Sequence, residues 1–307
     1  RDDDFVEHIF VATNHNYMLF FTQEGKCFWM RVYEIPEGSK VSKGRAIQNL
    51  INLPSDDKVV AYLNVKNLKD QDYLNTHYVI MCTKNGIVKK TCLEAYSRPR
   101  QNGINAIGIR EGDSLLEAKL TNGKCDIMIA ASSGKAIRFP EAKVRAMGRG
   151  ASGVRGITLS GENNFVVGMI CVNNFDSHVL VVSENGYGKR SDIDSYRQTN
   201  RGGKGVKTIS ITPKTGNLIA IKNVIDTDGL MIINKSGVMI RMNVEAMRVM
   251  GRATQGVRLI NLKENDQISS VAKVEIDDSD EENNLTDDHI DQDINNTDTN
   301  NTDTNNT

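Results

Sequence analysis

Apolar stretches of five to seven residues recur along the chain in pairs, each pair joined by a polar turn that ends in glycine. The pairs are Tyr17–Thr22 with Cys27–Val32, Tyr78–Thr83 with Ile87–Cys92, Asp126–Ala131 with Lys135–Phe139, His178–Ser183 with Tyr187–Ser191, and Gly229–Asn234 with Val238–Asn243. Runs of this length between turn residues predict strands, so each pair predicts a β-hairpin. The turn glycines, Gly25, Gly86, Gly134, Gly186 and Gly237, stand where a tight turn needs positive φ. A second glycine follows each: Gly44, Gly103, Gly153, Gly205 and Gly256. Third strands are predicted after it, over Ala46–Leu53, Ile104–Ile109, Val154–Leu159, Val206–Ile211 and Val257–Leu262. Fourth strands are predicted over Val59–Val65, Leu115–Leu120, Phe165–Val172, Leu218–Val224 and Ile268–Val274. Segments with helical period are nearly absent.

The turn glycines are 61, 48, 52 and 51 residues apart. A generic β-sandwich has no reason to repeat at near-constant spacing. A period near this size predicts an array of four-stranded blades, propeller-like, with whole repeats over about 12–66, 76–121, 125–173, 177–225 and 228–276. Phe5–Val11 reads as one more fourth strand, the remnant of a blade whose first three strands precede the chain. The expected architecture is therefore all-β and six-bladed, with the first blade truncated to residues 1–11.

Charge divides the chain. Residues 277–307 hold eleven Asp and Glu and no Lys or Arg, which leaves 38 basic and 28 acidic residues in 1–276. The Asn-Thr-Asp repeats of 277–307 bury too little apolar surface to offset ordering entropy, so a disordered acidic tail is expected there. The body carries a net charge of +10 and favours a polyanion as partner. No run of 18 apolar residues exists, which excludes a transmembrane helix and leaves no membrane partner. The five cysteines have neither CxxC pairs nor ligand spacing and are expected to be reduced, mostly strand-buried thiols of a cytosolic protein.

The basic residues follow the repeat. Four residues after the turn glycine stand Lys90, Arg138, Arg190 and Arg241, with Trp29 in the first repeat; Lys89 and Lys189 adjoin two of them. Around the second glycine come Lys43 and Arg45, Arg98 and Arg100, Arg149 and Arg155, Arg201 and Lys204, and Arg252 and Arg258. The same position in every blade predicts a basic belt along one rim. Such a belt suits the DNA backbone, whose phosphates position a protein without specifying sequence. Bending 20–30 bp costs about 1–6 kcal/mol, so a curved rim needs many contacts.

Catalytic signals are absent. Gly148-Arg-Gly150-Ala-Ser-Gly153 matches GxGxxG but precedes a predicted strand instead of opening a helix. No P-loop or GxSxG elbow occurs, and the five histidines are dispersed. No catalytic residue, metal ligand or cofactor contact is expected. Trp29 reads as a packing anchor.

Asn85-Gly-Ile-Val-Lys-Lys-Thr91, Val144-Arg-Ala-Met-Gly-Arg149, Gly153-Val-Arg-Gly-Ile157, Asn185-Gly-Tyr-Gly-Lys-Arg190 and Gly251-Arg-Ala-Thr-Gln-Gly-Val257 resemble the C-terminal domain of bacterial DNA gyrase A. The likeness runs from about Asp4 to Ile276. It implies a six-bladed β-pinwheel whose blades exchange strands, with DNA wrapped on its rim, acting beside gyrase B and a second copy of gyrase A in negative supercoiling. ATP, Mg and the cleaving tyrosine belong to other parts of that type II topoisomerase holoenzyme, and the setting implied is a bacterial cytoplasm. Gln198-Thr-Asn-Arg-Gly-Gly-Lys-Gly205 is similar to the family's signature box but has one extra residue after Gln and lies in a later blade. The resemblance therefore implies phosphate contact at Arg201 and Lys204 without the box's role in closing the wrap. The corresponding C-terminal domain of topoisomerase IV is the alternative, and a propeller that binds protein, or carries an enzyme site in its central channel, is the reading outside this family.

Overall fold

The computed structural model describes residues 12–38, 44–263 and 266–275. Phe5–Val11, Lys43 and the tail from Asp277 lie outside them. Each repeat begins with a hairpin: β1 (Tyr17–Thr22) with β2 (Lys26–Arg31), β4 (Tyr78–Thr83) with β5 (Ile87–Cys92), β8 (Asp126–Ala131) with β9 (Lys135–Pro140), β12 (His178–Ser183) with β13 (Tyr187–Asp192), and β16 (Asp228–Asn234) with β17 (Met239–Asn243). The fourth strands are β3 (Val59–Val65), β7 (Leu115–Thr121), β11 (Val166–Val172), β15 (Leu218–Val224) and β19 (Ile268–Glu275). Each pairs antiparallel with the first hairpin strand of its own repeat, as Tyr78 opposite Thr121 and His178 opposite Val224.

The third strands depart from expectation. They shrink to two residues each: β6 (Ile104–Asn105), β10 (Val154–Arg155), β14 (Val206–Lys207) and β18 (Val257–Arg258). Each adds to the preceding blade, giving the sheet orders β3-β1-β2-β6, β10-β5-β4-β7, β11-β8-β9-β14 and β15-β12-β13-β18. The chain then anchors on the preceding hairpin turn. Ala106, Gly156, Thr208 and Leu259 donate their N–H groups to the carbonyls of Gly25, Gly86, Gly134 and Gly186 at 2.7–2.8 Å. Ala46–Leu53 forms no strand, and Ile47–Asn49 makes a single 3-10 turn instead. Among the described residues no blade precedes it to receive a strand, so Ile51 and Leu53 fold back onto Met18, Phe20 and Phe28. The last sheet, β17-β16-β19, has three strands. The described residues thus build five sheets where six blades were expected.

The second glycines make the exchange sterically possible. Gly205 has φ +73°, and a Cβ there would stand 2.6 Å from the Ala136 carbonyl oxygen. Gly44, with no preceding blade among the described residues, has open space at the same position. Gly205→Ala is expected to cost about 2–3 kcal/mol, part from the left-handed backbone and part from the forced separation of β14 from β9. Gly44→Ala at the unpacked position should change stability by under about 0.5 kcal/mol. Urea unfolding of the two variants measures the contrast.

Sheets stack face to face, which explains why the hairpin strands read as continuous apolar runs rather than alternating ones. Leu19, Phe21 and Leu63 meet Val79, Met81 and Leu115. Ile80 and Cys82 meet Ile127, Ile129 and Val166, and Met128 and Ala130 meet Val179 and Val181. All five cysteines are unpaired, and Cys27, Cys82 and Cys125 are buried. One helix was not anticipated: α1 (Gln71–Thr76), capped by Asp70, whose side chain accepts from the Tyr73 N–H at 3.1 Å.

The fourth strands β7, β11, β15 and β19 surround a cavity of about 750 Å³. Its charged lining is Glu117, Lys119, Lys222 and Lys273, so it offers one carboxylate and no imidazole.

Candidate nucleic-acid interface

The belt residues divide into two sets that the sequence does not separate. Lys89, Lys90, Arg138, Lys189 and Arg190 are buried, at 0–9% exposure, and their cationic groups are spent within the protein. They hold the next repeat. Lys90 reaches the Glu141 carboxylate at 3.7 Å and lies over the Tyr78 ring. Arg138 donates to Asp126 at 2.8 Å and to the Ile193 and Tyr196 carbonyls at 3.0 and 3.1 Å. Arg190 donates to the Met247 carbonyl at 2.6 Å and pairs with Asp226. Trp29 fills the same position in the first repeat and donates Nε1–H to the Tyr96 carbonyl at 2.9 Å. The packing role expected of Trp29 is therefore shared by Lys90, Arg138 and Arg190 in its column, though not by the exposed Arg241, and the five buried cations lie between blades as clasps, where the sequence had placed them on an open rim. The main chain agrees: Met147, Thr199 and Met250 donate to the carbonyls of Lys90, Arg138 and Arg190 at 2.8–2.9 Å, laying each following loop along the previous blade.

The second set lies on those and neighbouring loops, on the exchanged strands β10 and β18, and on β17. Arg45, Arg98, Arg100, Arg155, Lys204, Arg241 and Arg258 are exposed, and Arg149, Arg201 and Arg252 are half-buried. The half-buried three repeat one contact. Arg149 donates to the Asn105 carbonyl at 3.4 Å, Arg201 to that of Arg155 at 3.1 Å, and Arg252 to that of Lys207 at 2.7 Å. Each guanidinium thus stitches its loop to the short exchanged strand beside it and still has unspent donors facing out. Arg241 differs, because β17 is an edge of the last sheet among the described residues.

Shallow depressions open at these joints. One of about 400 Å³ is lined by Lys26, Arg100, Asn105 and Arg149. The next, of about 610 Å³, has Arg110, Arg155 and Arg201 on its wall. A smaller one carries Arg197 and Lys204, and a fourth has Lys214, Arg258 and Lys263 around Tyr187. Arg258 donates to the Tyr187 hydroxyl at 3.1 Å, and this bond holds the phenol below its ordinary pKa. Lys26, Arg110, Arg197, Lys214 and Lys263 line these depressions and were not singled out from sequence. Only Lys26 had a signal, since it follows a turn glycine as Lys135 does. The GxGxxG match falls in the loop before β10, where a Cβ on Gly153 would stand 2.6 Å from the Val88 carbonyl oxygen, so this glycine serves the joint.

Lys89 and Lys189 lie beneath this rim. Burial, and then the charge of Arg149, hold the Lys89 ammonium down at a pKa of about 8; burial and Arg252 do the same at Lys189. Unfolded, both return to about 10.4. Between these values the unfolded chain binds more protons, so both groups add stability as pH rises from about 8 towards 10.4, and that increment is lost as pH falls back through 8. Lys89→Met with Lys189→Met should flatten the rise in urea midpoint between about pH 7.5 and pH 9.5.

The family model described as the DNA gyrase C-terminal domain, beta-propeller, matches residues 16–66, 77–122, 126–173, 177–224 and 230–275. The DNA gyrase A protein of Staphylococcus aureus strain MRSA252 is 44% identical over 283 residues, 92% of this chain and 31% of the relative. The same protein of strain NCTC 8325 is 43% identical over the same span. The chain thus spans about a third of the length of the curated relatives it matches. Among solved structures, the C-terminal domain of DNA topoisomerase IV superposes with TM-score 0.76 at 23% identity, over 85% of this chain and 80% of that one. A DNA gyrase A C-terminal domain superposes with TM-score 0.72 at 24% identity, over 85% and 83%. At such identities the two structures speak for the fold alone.

Proposed function

Because the chain belongs to the DNA gyrase C-terminal domain family, we propose that it binds duplex DNA across the successive joint depressions and wraps it, as part of a gyrase A protein. The observation that carries this reading is the recurrence of Arg149, Arg201 and Arg252 in one contact at three consecutive joints, the first two with further cations in the same depression. Phosphate contact is assigned to the exposed and half-buried set: Arg45, Arg98, Arg100, Arg149, Arg155, Arg201, Lys204, Arg241, Arg252 and Arg258, with Lys43 as an expectation outside the described residues. Contacts to phosphate tolerate any sequence. In the holoenzyme, gyrase B and a second copy of gyrase A are the proposed partners, with ATP and Mg used elsewhere and the wrap feeding negative supercoiling in a bacterial cytoplasm. This portion contributes binding and no bond cleavage. The relatives at 43–44% identity favour gyrase over topoisomerase IV.

Among the described residues β17 receives no short outer strand of the kind that β2, β5, β9 and β13 receive, and Val238 and Met239 are exposed at 48% and 39%.

The test is a topology assay. The chain is bound to nicked circular DNA, the nick is ligated, the protein is removed, and linking number is read on a gel. A positive shift is expected, lost when Arg149, Arg155, Arg201 and Lys204 are neutralised. Tight binding with no shift in linking number would leave a basic propeller that holds DNA without wrapping it.

A further inference from the structure

Three residues after the turn glycine, the repeats carry Phe28, Lys89, Ile137, Lys189 and Ile240. Two repeats thus bury an ammonium where Phe28 and Ile137 are buried apolar side chains and Ile240 is a half-buried one. Lys89 Nζ donates to the carbonyl of Ala106 at 2.6 Å and to that of Arg149. Lys189 Nζ donates to the carbonyls of Gly251 and Arg252 at 2.8 and 2.7 Å and to Ser191 Oγ at 2.8 Å. In both, the residue whose guanidinium reaches outward has its own carbonyl gripped from below. Where Ile137 stands, no ammonium grips the loop from below; the sideways bond of Thr158 N–H to the Gly203 carbonyl at 2.9 Å is common to all three joints, matching Gly108 to Ala151 and Ser210 to Thr254 at 3.1 Å.

A buried ammonium held only by neutral oxygens, under another cation, is an expensive arrangement. The charge acting on Lys89 is that of Arg149 from the loop; Tyr96, from the turn after β5, donates to the same Ala106 carbonyl at 3.3 Å, with Cys27 of β2 acting on Tyr96. Burial pushes both Tyr96 and Cys27 upward, so they stay neutral. The charge acting on Lys189 is that of Arg252, and Tyr196, whose phenol burial also raises, shares Ser191 as a hydrogen-bond partner. In each case the arginine is the one charge acting on the ammonium. An anion landing on that arginine cancels the repulsion and favours the protonated lysine below it.

We propose that Lys89 and Lys189 are positioning residues for the phosphate-facing arginines Arg149 and Arg252: each fixes the main chain of its rim loop from beneath and takes up a proton as phosphate arrives above it. The proposal rests on the DNA-binding reading given above.

The whole chain is titrated with a short duplex at constant salt, at about pH 7 and about pH 9, where Lys89 and Lys189 change charge. Unsubstituted protein should lose about tenfold in affinity between the two pH values. Lys89→Met with Lys189→Met should bind about fivefold more weakly at the lower pH and show no such loss. An undiminished pH dependence, or unchanged affinity at the lower pH, overturns the proposal. Should that variant not fold, calorimetry of unsubstituted protein near pH 8 in two buffers of different ionisation enthalpy reads the proton directly; net uptake on binding is expected, and none overturns it. Arg149→Ala with Arg252→Ala separates the two readings. If it binds DNA normally, phosphate contact at these loops is wrong; if it weakens binding while the lysine pair has no effect, only the positioning role is wrong.

Discussion

Neutralising Arg149, Arg155, Arg201 and Lys204 together is expected to reduce duplex affinity by about a thousandfold near 0.1 M salt and to lower the slope of log K against log salt by about 3.6. The expectation follows from counterion release, in which each phosphate contact adds about 0.9 to that slope. Arg149 lines one depression, Arg155 and Arg201 line a second and Lys204 a third, so the loss spreads along the path instead of falling at one point. Arg155 and Lys204 are exposed, so their replacement leaves the core intact. The loss should be equal for duplexes of unrelated sequence, because the contacts go to the backbone. Salt titrations of the variant and the unsubstituted chain on two such duplexes decide it. An unchanged slope would mean that DNA does not follow these joints.

Arg138→Met should lower stability by about 3–5 kcal/mol, the largest effect expected of any belt residue. The side chain joins the third repeat to the fourth through the Ile193 and Tyr196 carbonyls, and it is the cation paired with Asp126, which is 6% exposed. Methionine preserves the bulk but leaves that carboxylate with only Gln198, whose Nε2 donates to both oxygens at 3.0 and 3.1 Å. Adding Asp126→Asn should recover a large part of the loss, since it removes the uncompensated charge. Urea midpoints of the single and double variants measure both steps. If Arg138→Met is neutral, the clasp adds nothing to the joint. Arg155→Met on the open rim should cost under about 0.5 kcal/mol, although both residues carry the same charge in the same belt.

That contrast marks the limit of what the chain discloses on reading. Hairpins and fourth strands were legible because their signals are local: runs of apolar residues, polar turns, and glycine where φ is positive. Gly25, Gly86, Gly134 and Gly186 all adopt φ near +80°, and their regular spacing revealed the repeat. The third strands were placed in their own repeats, yet β6, β10, β14 and β18 extend the preceding sheets, because their hydrogen-bond partners lie in the previous repeat. Two-residue strands carry no periodicity that could name a partner. The basic belt was legible as a register, but whether a cation in it faces water depends on what packs over it. Lys89 and Lys90 are covered by the next repeat's loop, while Arg155 lies on the exchanged strand β10 and stays open to solvent. The sequence by itself determined the repeat, the strands and the positive register; the tertiary structure alone decided which strand of each repeat joins its neighbour and the division of the cations into clasps and rim, because burial and strand pairing depend on neighbours distant in the chain.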